Sequence, residues 1–333
     1  MYRAMIRAGA LSLAVLTIPA MGQEVKTIDP VVEMTQQCDD DDAGACARLG
    51  NRLLDGDGVE KDEAKGASIL GQACQLGEMP SCTMVGFLYG KGQGVERSAE
   101  IASAYYAYSC HGGEATGCSN LGLAYIRGDG VPPDDKRAAK LFQEGCTLGA
   151  TAACANLGSS YSLGRGVRRN QGKAAQLFRQ ACDADDQHGC YNLGVLYRDG
   201  LGVKRDYVRA VALFEGSCEA RDASACGNLG SMVDDGRGTT KDRQRALHLH
   251  DDACTLGAAE SCFTLGRAYQ TGNGRDRDDA RAIALLERAL ALDPETPSAG
   301  EAKKALALSQ PTPALSAPVV KEEAQGNGDT DVE

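Results

Sequence analysis

"GACARLGNRLLDGDGVEKD", residues 44–62, reads at first sight as a glycine- and acid-rich ligand loop built on Asp55-Gly56-Asp57-Gly58. Its recurrence decides otherwise. A shift of 36 residues superimposes on it "SCTMVGFLYGKGQGVERS" (81–98), "GCSNLGLAYIRGDGVPPD" (117–134), "ACANLGSSYSLGRGVRRN" (153–170), "GCYNLGVLYRDGLGVKRD" (189–206), "ACGNLGSMVDDGRGTTKD" (225–242) and "SCFTLGRAYQTGNGRDRD" (261–278). The glycines return in every copy but the aspartates do not: Lys91 and Gln93 stand where Asp55 and Asp57 stood. The third ligand and the distal Glu of an EF-hand loop are also missing. The stretch is a turn within a repeating unit rather than a calcium site.

Each copy holds a cysteine, and the positions counted from it describe the unit. Leu or Val falls at +3, Gly at +4, usually Tyr at +7, and Gly at +10 and +12. Apolar residues at 0, +3 and +7 have helical period, and the two glycines supply the left-handed turn that stops the helix. Position +16 is Asp62, Ser98, Asp134, Asn170, Asp206, Asp242 and Asp278, each able to cap the amides of a following helix. That helix carries Ile69, Tyr105, Leu141, Leu177, Leu213, Leu249 and Leu285 at +23. The unit is therefore predicted to be helix, glycine loop, helix. Such an αα-hairpin must stack on its neighbours to bury its apolar face, so the fold class is an all-α solenoid of 36-residue repeats.

The fourteen cysteines stand at 38/46, 74/82, 110/118, 146/154, 182/190, 218/226 and 254/262, with seven residues inside each pair and 36 from pair to pair. An even count at fixed spacing in an exported chain reads as a disulfide framework. Two pairings suit a hairpin stack. Linking each hairpin internally, Cys46 to Cys74 and onward, would strand Cys38 and Cys262, whereas linking neighbours uses all fourteen. At the next register, Leu290 and Ser298 replace both members of an eighth pair together. The expected bridges are thus Cys38–Cys46, Cys74–Cys82, Cys110–Cys118, Cys146–Cys154, Cys182–Cys190, Cys218–Cys226 and Cys254–Cys262. Zinc is a poor alternative, because the spacing differs from the two-residue knuckle and the chain has four His. No metal or other cofactor is expected.

The unit "NLGxxYxxGxGVxxDxxxAxxLFxxxC" resembles the Sel1-like repeat, a relative of the tetratricopeptide hairpin. With its cysteine pair it is similar to the secreted, Helicobacter-type cysteine-rich subgroup, over residues 28–292. The resemblance implies a right-handed, disulfide-stapled α-solenoid that makes protein–protein contacts. It also implies, as an alternative function, binding or slow hydrolysis of penicillin-type β-lactams.

The 333 residues contain no Trp and only 5% aromatics, which suits a long thin core better than a large globular one. Residues 1–22 carry Arg3 and Arg7, an apolar run from Ala8 to Ile18 and the small-residue pattern Ala20-Met21-Gly22, the form of a cleaved signal peptide too short for a permanent anchor. Its removal takes the net charge from −11 to −13, which disfavours nucleic acid and anionic membranes as partners. Export to the periplasm or the medium is expected, with no membrane insertion afterwards. Asp29 and Pro30 signal a starting half-unit, residues 23–310 form the solenoid with polar caps, and 311–333, acidic and rich in Pro and Gly, form a disordered tail.

Catalytic signals are missing from the chain. It contains no S-x-x-K, S-D-N, K-T-G, G-x-S-x-G or H-E-x-x-H motif. The serines read as surface, cap or small packing residues, and the bridged cysteines offer no thiolate. His111 and His188 are expected in the turns between paired cysteines, and His248 and His250 on different sides of a helix. Binding has better support. Position +2 holds Asn120, Asn156, Asn192 and Asn228 in four consecutive repeats, a carboxamide ladder suited to an extended peptide backbone. The equal alternative is that each Asn bonds the backbone of its own repeat. Arg127, Tyr191, Arg198, Phe263 and Arg267 are the neighbouring candidates for specificity, fitting a protein or peptide partner with some acidic groups.

Overall fold

A computed structural model describes residues 30–309, so the stretches expected to be a signal peptide (1–22) and a disordered tail (311–333) lie outside the described residues. The chain begins with α1 (Pro30–Asp39), α2 (Ala43–Asp55), α3 (Glu63–Gln75), α4 (Met79–Lys91), α5 (Ala99–His111) and α6 (Ala115–Arg127). It continues with α7 (Asp135–Thr147), α8 (Thr151–Leu163), α9 (Gln171–Cys182), α10 (Gln187–Asp199) and α11 (Tyr207–Glu219). The last are α12 (Ala223–Asp235), α13 (Arg243–Thr255), α14 (Ala259–Thr271), α15 (Asp279–Leu292) and α16 (Ala299–Ser309). The described residues contain no strand.

Seven hairpins, α2–α3 through α14–α15, stack into a solenoid, with α1 and α16 closing its ends. Helix limits follow from the residues read in the sequence. Gly56, Gly92, Gly128, Gly164, Gly200, Gly236 and Gly272 end the even helices with φ between 72° and 77°, a conformation that costs a side-chain-bearing residue roughly 1–2 kcal/mol. All seven +16 residues cap the odd helices through their side chains. The second glycine of each loop has a different reason to exist. A Cβ on Gly130 would overlap the Ala99 carbonyl and one on Gly202 the backbone of Gln171, so the loop lies directly on the preceding repeat.

Inside each hairpin a side chain at +24 enters a glycine notch, a ring in the five central hairpins and a leucine in the first and last. The +4 glycines Gly122, Gly158 and Gly194 face Phe142, Phe178 and Phe214, where an added Cβ would sit 2.5–2.9 Å from the ring carbons. These phenylalanines are fully buried at +24, as are Leu70 and Leu286, while the +23 residues singled out in the sequence are half-buried. The helical period admits both positions, and the close crossing at the glycine selects +24. In the sixth hairpin the slot is filled by His250, 5% exposed, against Gly230.

Around each bridge between hairpins the contacts are made by small groups, as with Ala181 against Gly189 and the cysteine pairs themselves, while larger side chains such as Phe214 and Leu229 continue the core farther along. All seven expected bridges are present, with Cα atoms 4.5–4.7 Å apart, joining the end of each odd helix to the start of the next even one. No cysteine is left with a thiol. Even helices of neighbouring repeats touch, α4 with α6, α6 with α8 and α8 with α10, whereas no two odd helices approach as closely. The even layer is therefore the inner, shorter arc of the curve. At the far end Glu260 accepts hydrogen bonds from the Thr296 and Ser298 hydroxyls and seats the start of α16.

Candidate functional site

The four +2 asparagines lie half-buried on the even helices of four consecutive repeats, but their side chains are not equivalent. Asn192 Nδ2 donates to the His188 carbonyl of its own helix at 2.7 Å, the local alternative named above. Asn228 donates to the Ser224 carbonyl and to the Tyr191 hydroxyl at 3.2 Å, and accepts from Arg198 of the preceding repeat. Arg198 also pairs with Asp199 at 2.7 Å, a hydrogen bond and charge contact that raise its pKa and depress that of Asp199. Asn120 and Asn156 make no side-chain hydrogen bond among the described residues. The ladder thus divides: Asn228 ties neighbouring repeats together, Asn192 is held by its own helix, and Asn120 and Asn156 keep their amide groups available.

Asn120 lines a cleft of about 370 Å³ between α4 and α6, floored by α5. Phe87 and Arg127 flank it, with Lys91 and Arg97 at the loop end and Asp129 the one acid. Phe87 is 42% and Met84 37% exposed, three residues apart on α4, so an apolar strip on that helix lies open and reaches the cleft at Phe87. Arg127 is exposed and forms no ion pair among the described residues, while the Lys91 ammonium lies 5.8 Å from the centre of the Phe87 ring. The cleft therefore offers a hydrogen-bonding amide, an apolar strip and an excess of positive charge. Phe87 and Met84 were not legible as site residues, because an exposed apolar residue at +2 or +5 has no signature in one sequence.

Of the other candidates, Arg267 bonds to Gln270 at 2.7 Å, Phe263 packs into the core at the last hairpin, and Tyr191 leans on Phe214. His111 and His188 fall within the ends of α5 and α10 rather than in the turns between them. The Asp55–Gly58 stretch behaves as a turn, with Gly56 and Gly58 at positive φ.

Two groupings invite a chemical reading and neither sustains one. His250 Nδ1 lies 3.1 Å from Ser261 Oγ, the contact of a nucleophile and its base, but both groups are sealed in the core. Burial lowers the His250 pKa to about 4, so the imidazole is a weak base as well as an inaccessible one. Cys110, Cys118 and Glu144 bring sulfur and oxygen together, but the sulfurs share a disulfide and carry no thiolate to bind a metal.

Residues 43–78, 80–114, 115–149, 151–186, 187–222, 223–257 and 259–294 each match the Sel1 repeat family. Among solved structures, a protective antigen of uropathogenic Escherichia coli with an SLR fold superimposes with a TM-score of 0.71 at 23% identity, over 84% of this chain and 59% of that one. The chain thus spans under two thirds of that antigen's length. A Sel1 repeat protein from Oxalobacter formigenes gives 0.68 at 26% identity, over 73% and 96%. Helicobacter pylori cysteine rich protein B is 30% identical over 39% of this chain and 94% of its own, with a TM-score of 0.33. No curated protein matches the sequence.

Proposed function

The chain belongs to the Sel1 repeat family, whose members typically serve as scaffolds for protein contacts, and from that premise we propose that it binds an extended protein or peptide segment on its inner face. The observation that carries this reading is the cleft between α4 and α6, where Phe87 lies exposed beside the unbonded Asn120 amide and the Arg127 guanidinium, with Met84 exposed three residues before it on α4. An amide pairs with a peptide backbone, the apolar strip accepts one or two side chains, and Lys91, Arg97 and Arg127 favour acidic neighbours. Asn156, one repeat along, extends the same row. The scaffold acts outside the reducing cytosol, in the periplasm or the medium. Seven bridges need an oxidising compartment, and residues 1–22 have the form of an export signal. A β-lactamase reading has no support in the site geometry. Among the described residues no helix is long and apolar enough to cross a membrane.

The test is selection of peptides from a random library on the oxidised protein, followed by binding to a Phe87→Ala, Asn120→Ala variant. Loss of binding with an unchanged melting temperature is expected. Peptides that bind the variant as well as the wild type would place the working surface elsewhere.

A further inference from the structure

A second surface lies on the outer layer, and the repeat itself reveals it. The residue three before the first cysteine of each pair and the residue at +19 of the next unit occupy matching places on successive odd helices. In the fifth hairpin and its successor these are Glu215 and Arg245, joined at 2.7 Å. Elsewhere the same two positions read Thr35/Lys65, Gly71/Ile101, Ala107/Arg137, Gln143/Lys173 and Asp251/Arg281, never two like charges. One register breaks the rule, because Arg179 stands opposite Arg209.

The two guanidinium groups converge on a single neutral oxygen. Arg179 Nη2 donates to the Tyr197 hydroxyl at 2.9 Å and Arg209 Nη1 to the same atom at 3.1 Å. Burial works to raise the Tyr197 pKa, but the two arginine hydrogen bonds prevail and hold it below the usual phenol value. Lys204 and Arg205, from the loop between α10 and α11, line the same open hollow of about 700 Å³. The acid within it is Asp206, whose carboxylate is already engaged with the amide of Arg209 and, at 3.3 Å, its guanidinium. Four cations thus gather around one acid in a chain whose net charge is −11.

Like charges held this close repel, and the fold could have avoided the repulsion with the Glu that stands one repeat later. We propose that the hollow between α9 and α11 is an oxyanion site, in which a carboxylate or phosphate group bridges Arg179 and Arg209 with Lys204 beside it. A planar guanidinium fork suits an anion with two or more acceptor oxygens, and such charge-assisted bonds are the stronger kind. The site is separate from the inner-face cleft and does not depend on it.

Arg179→Glu tests the assignment, because it recreates the Glu215–Arg245 arrangement and leaves the helix intact. Calorimetric titration at low ionic strength would use two probes, pyrophosphate and an octaglutamate peptide, on the full oxidised chain. The wild type is expected to bind at least one of them: preference for pyrophosphate assigns a phosphate ligand, and preference for the peptide an acidic protein segment. Arg179→Glu should weaken binding at least tenfold while its melting temperature in anion-free buffer stays level or rises. Lys241→Glu, the same change of charge on another loop, should leave affinity within about twofold. Failure of the wild type to bind either probe, or equal weakening by both variants, would overturn the proposal.

Discussion

The solenoid turns its chain in two ways, and the corners differ in what holds them. Inside a hairpin, the corner from an even to an odd helix is a glycine loop with no covalent link, and the helices beyond it are locked by a ring, or at the two end hairpins a leucine, seated in a glycine notch. Between hairpins, the corner is closed by a disulfide, and next to it the helices meet through alanine, glycine and cysteine. The lesson is one of interface size. Dispersion and burial scale with the atoms in contact, so a buried Phe sustains its corner unaided, whereas methyl groups against a glycine leave less to hold the next one. The bridge adds constraint where packing is thin. It also fixes the angle between repeats, and that angle sets the curvature of the inner face.

This contrast exposes itself to mutation. The largest expected effect is at a ring: Phe178→Ala should cost about 3–5 kcal/mol, because Gly158 cannot fill the space. Chemical denaturation of the oxidised protein would measure it, and a loss below about 1 kcal/mol would remove the ring-in-notch account. Next comes the hairpin where the ring is an imidazole. His250 is neutral when folded, with its pKa lowered to about 4 by burial, opposed by Asp234 and assisted by Arg243. The unfolded chain binds a proton between pH 6.5 and about 4 that the folded chain refuses. The contribution is therefore fully present above pH 6.5 and is lost as pH falls toward 4, amounting to roughly 3 kcal/mol. Melting curves across that window should show a decline that His250→Phe flattens; an unchanged slope would mean the histidine is not sealed.

At the other kind of corner, removing one bridge by Cys146→Ala with Cys154→Ala should cost about 2–3 kcal/mol, less than the ring. If the double substitution proved more damaging than Phe178→Ala, the ranking of the two corners would be reversed. The smallest effect is expected at the glycine loop. Gly200→Ala forces a side chain into φ 72° and should lower stability by about 1 kcal/mol, with the hairpin itself retained. A larger loss would show that the loop, rather than the packed ring, governs the hairpin.

Much of this was open to reading from the chain alone, because the features concerned are local. A capping side chain reaches amides two or three residues away, a left-handed glycine acts on its own φ, and a cysteine pair with seven residues between needs only a reversal of the chain. Repetition then supplied the solenoid, since a unit that cannot bury its own face must stack. Tertiary structure decided what depends on how helices cross. The period allowed both +23 and +24 to face inward, and the glycine notch selected +24, placing His250 in the core instead of on the surface. Four identical asparagines became one tied across repeats, where a tyrosine and an arginine from the neighbouring repeat came within reach, one held by its own helix and two open. Arg179 and Arg209, thirty positions apart, met over one tyrosine. Sequence spacing dictates geometry over a turn or two of helix; which side chains meet across a stack is set by the angles between hairpins, and those arise only when all the interfaces pack at once.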